Sequence, residues 1–218
     1  MSQSLQCPLC YQFQANWLTS DRRRHYFHCT NCDLIFVNPE AHLSYNSEKY
    51  IYDGHNNDPA DPQYRIFLNQ LLDPLSGWLT KSMSGIDFGC GPTPTLDLMV
   101  KERIGCDMQR YDPYYFPNKD VLSQKYDFVT ATEVVEHFND PFLNWEQLTS
   151  LLKPLGYLAI MTYCHTAEMR NQFKQWGYKA DPSHVCFYSI ETFNWLAEHF
   201  NLSPIFYQDR VTVFQMQP

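Results

Sequence analysis

From Gly85 to the carboxyl terminus, short apolar runs alternate with stretches of helical periodicity, and this alternation sets the fold class. Gly85–Phe88 reads as a strand running into Gly89-Cys90-Gly91, Pro94–Arg103 as a helix, and Cys106–Tyr111 as a weaker strand ending at Asp112-Pro113. Tyr126–Thr132 is a clear strand, Pro141–Leu152 an amphipathic helix, and Gly156–Tyr163 the most apolar strand of all. Ser189 is placed to cap a helix through Phe200, with Glu191 in the first turn favoured by the helix dipole. Leu202–Gln208 and Arg210–Gln215 close the chain as a strand pair. Such alternation predicts an α/β fold, a doubly wound and mostly parallel sheet with helices on both faces and an antiparallel addition at its end. Upstream, Tyr64, Phe67, Leu68, Leu71, Leu72, Leu75, Trp78 and Leu79 recur at helical spacing, and Pro74 is expected to kink or break that run.

The first 40 residues follow another logic. Cys7-Pro8-Leu9-Cys10 and Cys29-Thr30-Asn31-Cys32 are two Cys-x-x-Cys knuckles with 18 residues between them. Runs at Phe13–Leu18 and His25–His28 around Ser20-Asp21-Arg22 read as a hairpin that brings the knuckles together, followed by a third run at Leu34–Val37. Zinc takes four thiolates tetrahedrally, so Cys7, Cys10, Cys29 and Cys32 are expected to hold a structural Zn2+ with no position left for water. Two unrelated thiol pairs are the plain alternative. A module this short has little core of its own, and metal would supply much of its stability. Residues 41–61 are polar, with turn signals at Asp53-Gly54 and Asp58-Pro59, as in a linker or a lid. The expected organisation is a zinc-ribbon module at 1–40, a linker or lid at 41–61, and the α/β domain at 62–218.

Composition narrows the function. At 44% hydrophobic and 16% aromatic residues, the 218-residue chain can bury a core and is not a disordered polymer. Arg22, Arg23, Arg24 and Lys49 balance Asp21, Asp33, Glu40 and Glu48, so the whole net charge of −8 lies in residues 50–218. A duplex DNA footprint there is excluded, because phosphates are bound mainly by neutralising them. No run approaches the roughly 18 apolar residues of a membrane span. The start lacks the basic and apolar regions of a signal peptide, and with eight cysteines the expectation is a reducing, cytoplasmic location. Arg22-Arg23-Arg24 falls at the hairpin tip, as a solvated turn or a contact for phosphates or an acidic partner.

In Ile86-Asp87-Phe88-Gly89-Cys90-Gly91-Pro92-Thr93, an acidic residue ends a strand and two glycines open a helix. Glycine lets the backbone pass close beneath a ligand, and a helix start offers free N–H groups. The dinucleotide pattern needs a third glycine, and position 94 is Pro, which disfavours a nicotinamide enzyme. An acid at the strand end suits a cationic, phosphate-free ligand. From about residue 62 onward this combination resembles class I S-adenosylmethionine-dependent methyltransferases. Asp87, Gly89 and Gly91 match the family's first motif, and Asp112 its ribose-binding acid. Tyr126–Val129 with Thr132-Glu133-Val134-Val135-Glu136-His137 resembles the fourth strand and the loop under the cofactor. Leu152-Lys153-Pro154-Leu155-Gly156 resembles the turn before the fifth strand. The resemblance implies a Rossmann-like, seven-stranded sheet binding S-adenosylmethionine, although the third strand, near Val121–Ser123, is very short and no acid follows it to hold adenine.

The whole chain also resembles small bacterial methyltransferases with an amino-terminal zinc ribbon, through Tyr52–Asn57, Asp61–Tyr64, Asp112-Pro113-Tyr114 and Asp181–Tyr188. That likeness implies that residues 50–64 fold over the cofactor, with Tyr52, His55 and Tyr64 lining the pocket; the alternative is a surface linker. Glu133-x-x-Glu136-His137 with His184 resembles the metal element of small-RNA 2′-O-methyltransferases and ubiquinone O-methyltransferases. By that likeness Glu133, Glu136, His137 and His184 would hold Mg2+ or another divalent ion that activates a hydroxyl; otherwise Glu133 and His137 anchor the cofactor loop. Without metal, His184 is the leading general base, since an imidazole titrates near neutral pH, with His55 and His165 behind it; a structural hydrogen bond is the plain alternative for each histidine. Tyr64 or Phe187 could face the sulfonium. The expected function is methyl transfer to an O or N acceptor, on a small molecule in preference to RNA, which the metal-type resemblance and the arginine cluster leave open. The alternative is a non-catalytic S-adenosylmethionine sensor or a ribbon that displays a partner-binding surface.

Overall fold

The protein is described by a computed structural model over residues 5–55 and 57–218. Its central sheet holds β4 (Ser84–Phe88), β5 (Asp107–Tyr111), β6 (Tyr126–Thr132), β7 (Leu152–Met161), β9 (Leu202–Gln208) and β10 (Val211–Met216) in the order β5-β4-β6-β7-β10-β9. β5, β4, β6 and β7 run parallel; β10 joins β7 antiparallel and carries β9 outside it.

Alternating side chains of the middle strands feed two cores. Phe128, Ala159, Met161 and Val213 meet α2 (Pro62–Ser76) and α3 (Thr95–Arg103) through Leu68, Leu72, Leu96 and Val100. Val129, Ala131, Leu158, Ile160 and Phe214 meet Trp145 and Leu148 of α4 (Pro141–Ser150) and Phe193 and Leu196 of α6 (Ile190–His199). Burial on both faces explains why β6 carries apolar residues on both sides and why β7 is a continuous apolar run from Gly156 to Met161. α6 starts as expected at Ser189, whose hydroxyl accepts the Thr192 N–H in a capping box.

Two expectations are corrected. The sheet has six strands among the described residues, because Lys119–Ser123 forms a 3-10 turn in which Val121 alone is buried. Asn118 caps this turn by accepting the Asp120 N–H, and so short a segment has no apolar face to add to the sheet. The helix α2 runs through Pro74 to Ser76, with fully buried Leu75 holding its last turn against the core.

A second, antiparallel sheet has the order β1-β2-β3-β8, from β1 (Ala15–Ser20), β2 (His25–Cys29), β3 (Ile35–Val37) and β8 (Cys186–Phe187). The amino-terminal hairpin thus takes its last strand from the carboxyl-terminal half, and both share one core. Between the sheets, residues 45–52 form α1 (Tyr45–Tyr52), capped by Ser44. A short α5 (Ala167–Asn171) follows β7. Among the described residues, no helix is long and apolar enough to cross a membrane.

Candidate active site

A cavity of about 600 Å³ opens at the carboxyl ends of β4, β5 and β6, the edge where open α/β sheets bind ligands. It gathers Asp87, Gly89, Gly91, Asp112, Thr132 and Glu133 from strand ends, Tyr52 from α1, His55 from the loop after it, Tyr64 from α2, and His137 and His184 from the far wall. Gly89 and Gly91 have φ of +76° and +66°, a region open to glycine. A Cβ on Gly89 would also stand 2.4 Å from a Val134 methyl.

The first N–H groups of the loop are taken within the fold. Those of Gly89 and Cys90 donate to the Tyr111 carbonyl at 2.7 and 3.2 Å, and that of Gly91 donates to Asp112 Oδ2 at 3.0 Å. Pro92 and Pro94 have none. At the glycine pair the polar groups left to a ligand are therefore carboxylates, while the start of α3 carries no side-chain cap. Asp112 Oδ1 also accepts the Tyr114 and Tyr115 N–H groups; of about four acceptor positions on a carboxylate, one is left for a ligand. Asp87 receives the Thr130 hydroxyl at 2.7 Å. Burial raises its carboxyl to about 7, helped by Asp97 and Asp112 and opposed by the Thr130 hydrogen bond and Arg110.

The helix α1 lies over this edge. Buried Glu48 accepts from the Tyr114 hydroxyl and from Asn139 Nδ2, and Asp53 accepts the Tyr115 hydroxyl at 2.7 Å. The Tyr52 ring stands edge-on to His137, 5.4 Å between centroids.

On the far wall, His137 Nδ1 lies 3.1 Å from the Ser183 carbonyl and His184 Nδ1 2.8 Å from that of Tyr178. A carbonyl only accepts, so each Nδ1 carries the proton and each Nε2 keeps its lone pair. Burial holds both imidazoles neutral, His137 at about 4 and His184 below its ordinary value. His184 Nε2 is 3.9 Å from Asp181 Oδ2. Glu136 does not line the cavity; it is fully buried, one oxygen accepting from the Tyr178 hydroxyl and Oε2 without a partner. Glu136, His137 and His184 each bring a ligand atom within 4.8 Å of the others. Glu133 stays outside this trio and turns toward Arg210 at 3.4 Å. Its carboxyl is raised to about 8 by burial and by Glu136, and its φ of +52° is strained for a residue with a side chain.

Residues 55–205 match a family model described as a methyltransferase domain. The chain belongs to the methyltransferase-domain family. The reaction of that family is methyl transfer. No curated protein matches the chain in sequence. Among solved structures, this methyltransferase is similar to 1,6-didemethyltoxoflavin-N1-methyltransferase from Burkholderia thailandensis, with bound 1,6-didemethyltoxoflavin and S-adenosylhomocysteine. The identity is 12% and the TM-score 0.53, over 92% of this chain and 98% of that one. It is also similar to an O-methyltransferase family protein from the same organism, at 12% identity and a TM-score of 0.52, over 78% of this chain and 62% of that one. At these identities the likeness is one of fold.

The methyltransferase keeps its cysteine quartet apart from the cavity. Cys7, Cys10, Cys29 and Cys32 are buried, with sulfurs 3.6 Å apart for Cys7–Cys32 and 3.5 Å for Cys10–Cys29. Four thiolates bound at about 2.3 Å around zinc would stand roughly 3.8 Å apart, so the quartet fits that ion. Two candidates leave the site. His165 is buried against the Asp33 carbonyl, and Phe187 is buried in the β3–β8 ladder. Glu48 and Tyr115 line the cavity without having been singled out, and Tyr114 and Asp181, marks of the resemblance with no role assigned, line it too. For Glu48, the one available signal was a carboxylate followed by tyrosines in a segment too aromatic for a plain linker.

Proposed function

We propose that this methyltransferase passes the methyl group of S-adenosylmethionine to an oxygen or nitrogen of a small molecule, with His184 as general base. The supporting observation is the character of the cavity wall. It carries Glu48, Asp87, Asp112, Glu133 and Asp181, and no Lys or Arg among its described lining residues. A phosphate chain such as RNA would meet carboxylates without a neutralising partner, whereas a sulfonium and a neutral or cationic acceptor would not.

S-adenosylmethionine supplies an electrophilic methyl group on a positively charged sulfur. Gly89 and Gly91 give it a floor, the open acceptor position of Asp112 takes a ribose hydroxyl, and Asp87 offers negative charge. Tyr64 supplies an aromatic face, Thr132 and Glu133 a rim, and Tyr52 and His55 a cover. The acceptor's lone pair forms the new bond to the methyl carbon as the carbon–sulfur pair returns to sulfur. The acceptor's proton passes to His184 Nε2, and Asp181 steadies the imidazolium. His137 forms part of the wall that holds this geometry, with Glu136 buried behind the cavity lining. The Cys7, Cys10, Cys29 and Cys32 thiolates hold a structural zinc, consistent with the ribbon-bearing group.

One observation favours a second metal. Glu136 Oε2 is buried without a partner beside two imidazoles whose Nε2 lone pairs are open. A carboxylate with two imidazoles suits manganese, iron, cobalt or zinc better than Mg2+, which prefers oxygen. Such an ion would lower the pKa of an acceptor hydroxyl. Calorimetry with MnCl2 on wild type and Glu136→Gln tests it; equal heats would reject the site.

For the reaction, binding of S-adenosylmethionine is measured by calorimetry, and labelled donor is then incubated with cell extract. Binding followed by labelled product is expected. Binding without product would make the protein a sensor, and tight binding of NAD with none of S-adenosylmethionine would overturn the assignment.

A further inference from the structure

The three arginines of the hairpin tip have different fates. Arg22 and Arg23 are exposed, while Arg24 is buried and reaches across to the loop that carries His184. Its Nη1 donates to the carbonyls of Asp181 at 3.0 Å and His184 at 3.1 Å, and its Nη2 donates to that of Lys179. Asp21 backs the guanidinium, with Oδ2 3.8 Å from Nε, and is itself fixed by the Tyr26 hydroxyl at 2.6 Å. Past His184 the same loop is pinned on both sides. The Val37 N–H donates to the Val185 carbonyl at 2.9 Å, and the Val185 N–H to that of Glu136 at 2.8 Å. The carbonyl that sets the His184 tautomer belongs to Tyr178, next to the first carbonyl Arg24 holds.

We propose that Arg24 is a positioning residue. It clamps the 178–184 turn so that the His184 ring stays in one tautomer, Nδ1–H toward Tyr178 and Nε2 bare, and it thereby makes the amino-terminal ribbon part of the active site's framework. Three carbonyls converging on one group call for a planar fork with several donors, which Arg has and Lys lacks. The functional meaning rests on His184 being the base; the clamp itself does not.

The test is nitrogen NMR of protein labelled in its histidine rings, at a pH where His184 is neutral. Wild type is expected to give widely separated His184 Nδ1 and Nε2 signals. In Arg24→Ala they converge as the tautomers interconvert, while affinity for S-adenosylhomocysteine stays at the wild-type value. Guanidinium ion at a non-denaturing concentration fills the vacated space and separates the signals again. Should Arg24→Ala not fold, Arg24→Lys serves in its place and shows a smaller convergence. A folded variant with wild-type ring signals overturns the proposal. So does convergence that guanidinium leaves unreversed and that comes with lost S-adenosylhomocysteine binding, the mark of general loosening. His184→Gln separates the two readings. If it labels extract components as wild type does, the base assignment falls, while the ring signals still decide the clamp.

Discussion

Asp87 and Asp112 sit at neighbouring strand tips, yet they answer to different perturbations. Asp112 already serves three backbone N–H groups, so Asp112→Ala removes a ligand acceptor and frees the Tyr114–Tyr115 turn together. The loss of a hydrogen bond to a charged group, about 1.5–3 kcal/mol, predicts roughly 10- to 100-fold weaker S-adenosylmethionine binding by calorimetry. An unchanged dissociation constant would remove Asp112 from the site. Asp87, with a carboxyl near 7 in the free protein, predicts a pH dependence. A cation favours the carboxylate, so binding below pH 7 must expel a proton. Affinity should rise roughly tenfold per pH unit up to about 7 and then level off, and Asp87→Asn should flatten that rise. The same shift acts against the free protein. The folded state holds this proton more tightly than the ordinary value of 3.8 allows, so Asp87's contribution to stability declines as pH climbs from 3.8 to 7. These two acids were legible in the sequence because each closes a strand. Tyr115 carried no signal, and Tyr114 and Asp181 stood only as marks of a resemblance, since only the folded chain brings their backbone turns to the cavity.

Among the elements, β6 and β7 were legible because strands buried on both faces leave an apolar run that survives any register. Three elements resisted for physical reasons. The stretch at 119–123 lacks an apolar face. β8 has two residues, too few for a period, and its partner Ile35–Phe36 lies far away in sequence. α1 buries Glu48 and no apolar stripe, so its helix looks like polar linker. Its tie to the cavity runs through Glu48 and Asp53 to Tyr114 and Tyr115, whose turn Asp112 holds. A lid of this construction should respond to Glu48→Ala, which strands two donors. The expected results are about tenfold weaker S-adenosylmethionine binding and faster proteolysis within residues 45–61 of the free protein. If residues 45–61 were only a surface linker, the substitution would leave both measurements at wild-type values.

At the scale of the whole molecule, the ribbon and the catalytic half are not beads on a string. The quartet, Tyr26 and Phe36 share a buried core with Trp145, Tyr188 and Phe193, and Phe187 is a strand partner of Ile35. Neither half can lose its packing without exposing the other, which predicts a single cooperative transition rather than an early melting of the amino-terminal module. The zinc proposed for the quartet would bind the folded site far more strongly than separate cysteines and would shift that whole transition. Removing it with a chelator, or by Cys29→Ser, should release one zinc per chain and lower the melting temperature of the entire protein. Amide exchange should then quicken in residues 183–187 as well as in β1–β3. Faster exchange confined to the hairpin would mean that the metal serves the ribbon alone. A chain that carries no zinc as purified and keeps its melting temperature in chelator would remove the metal from the fold altogether.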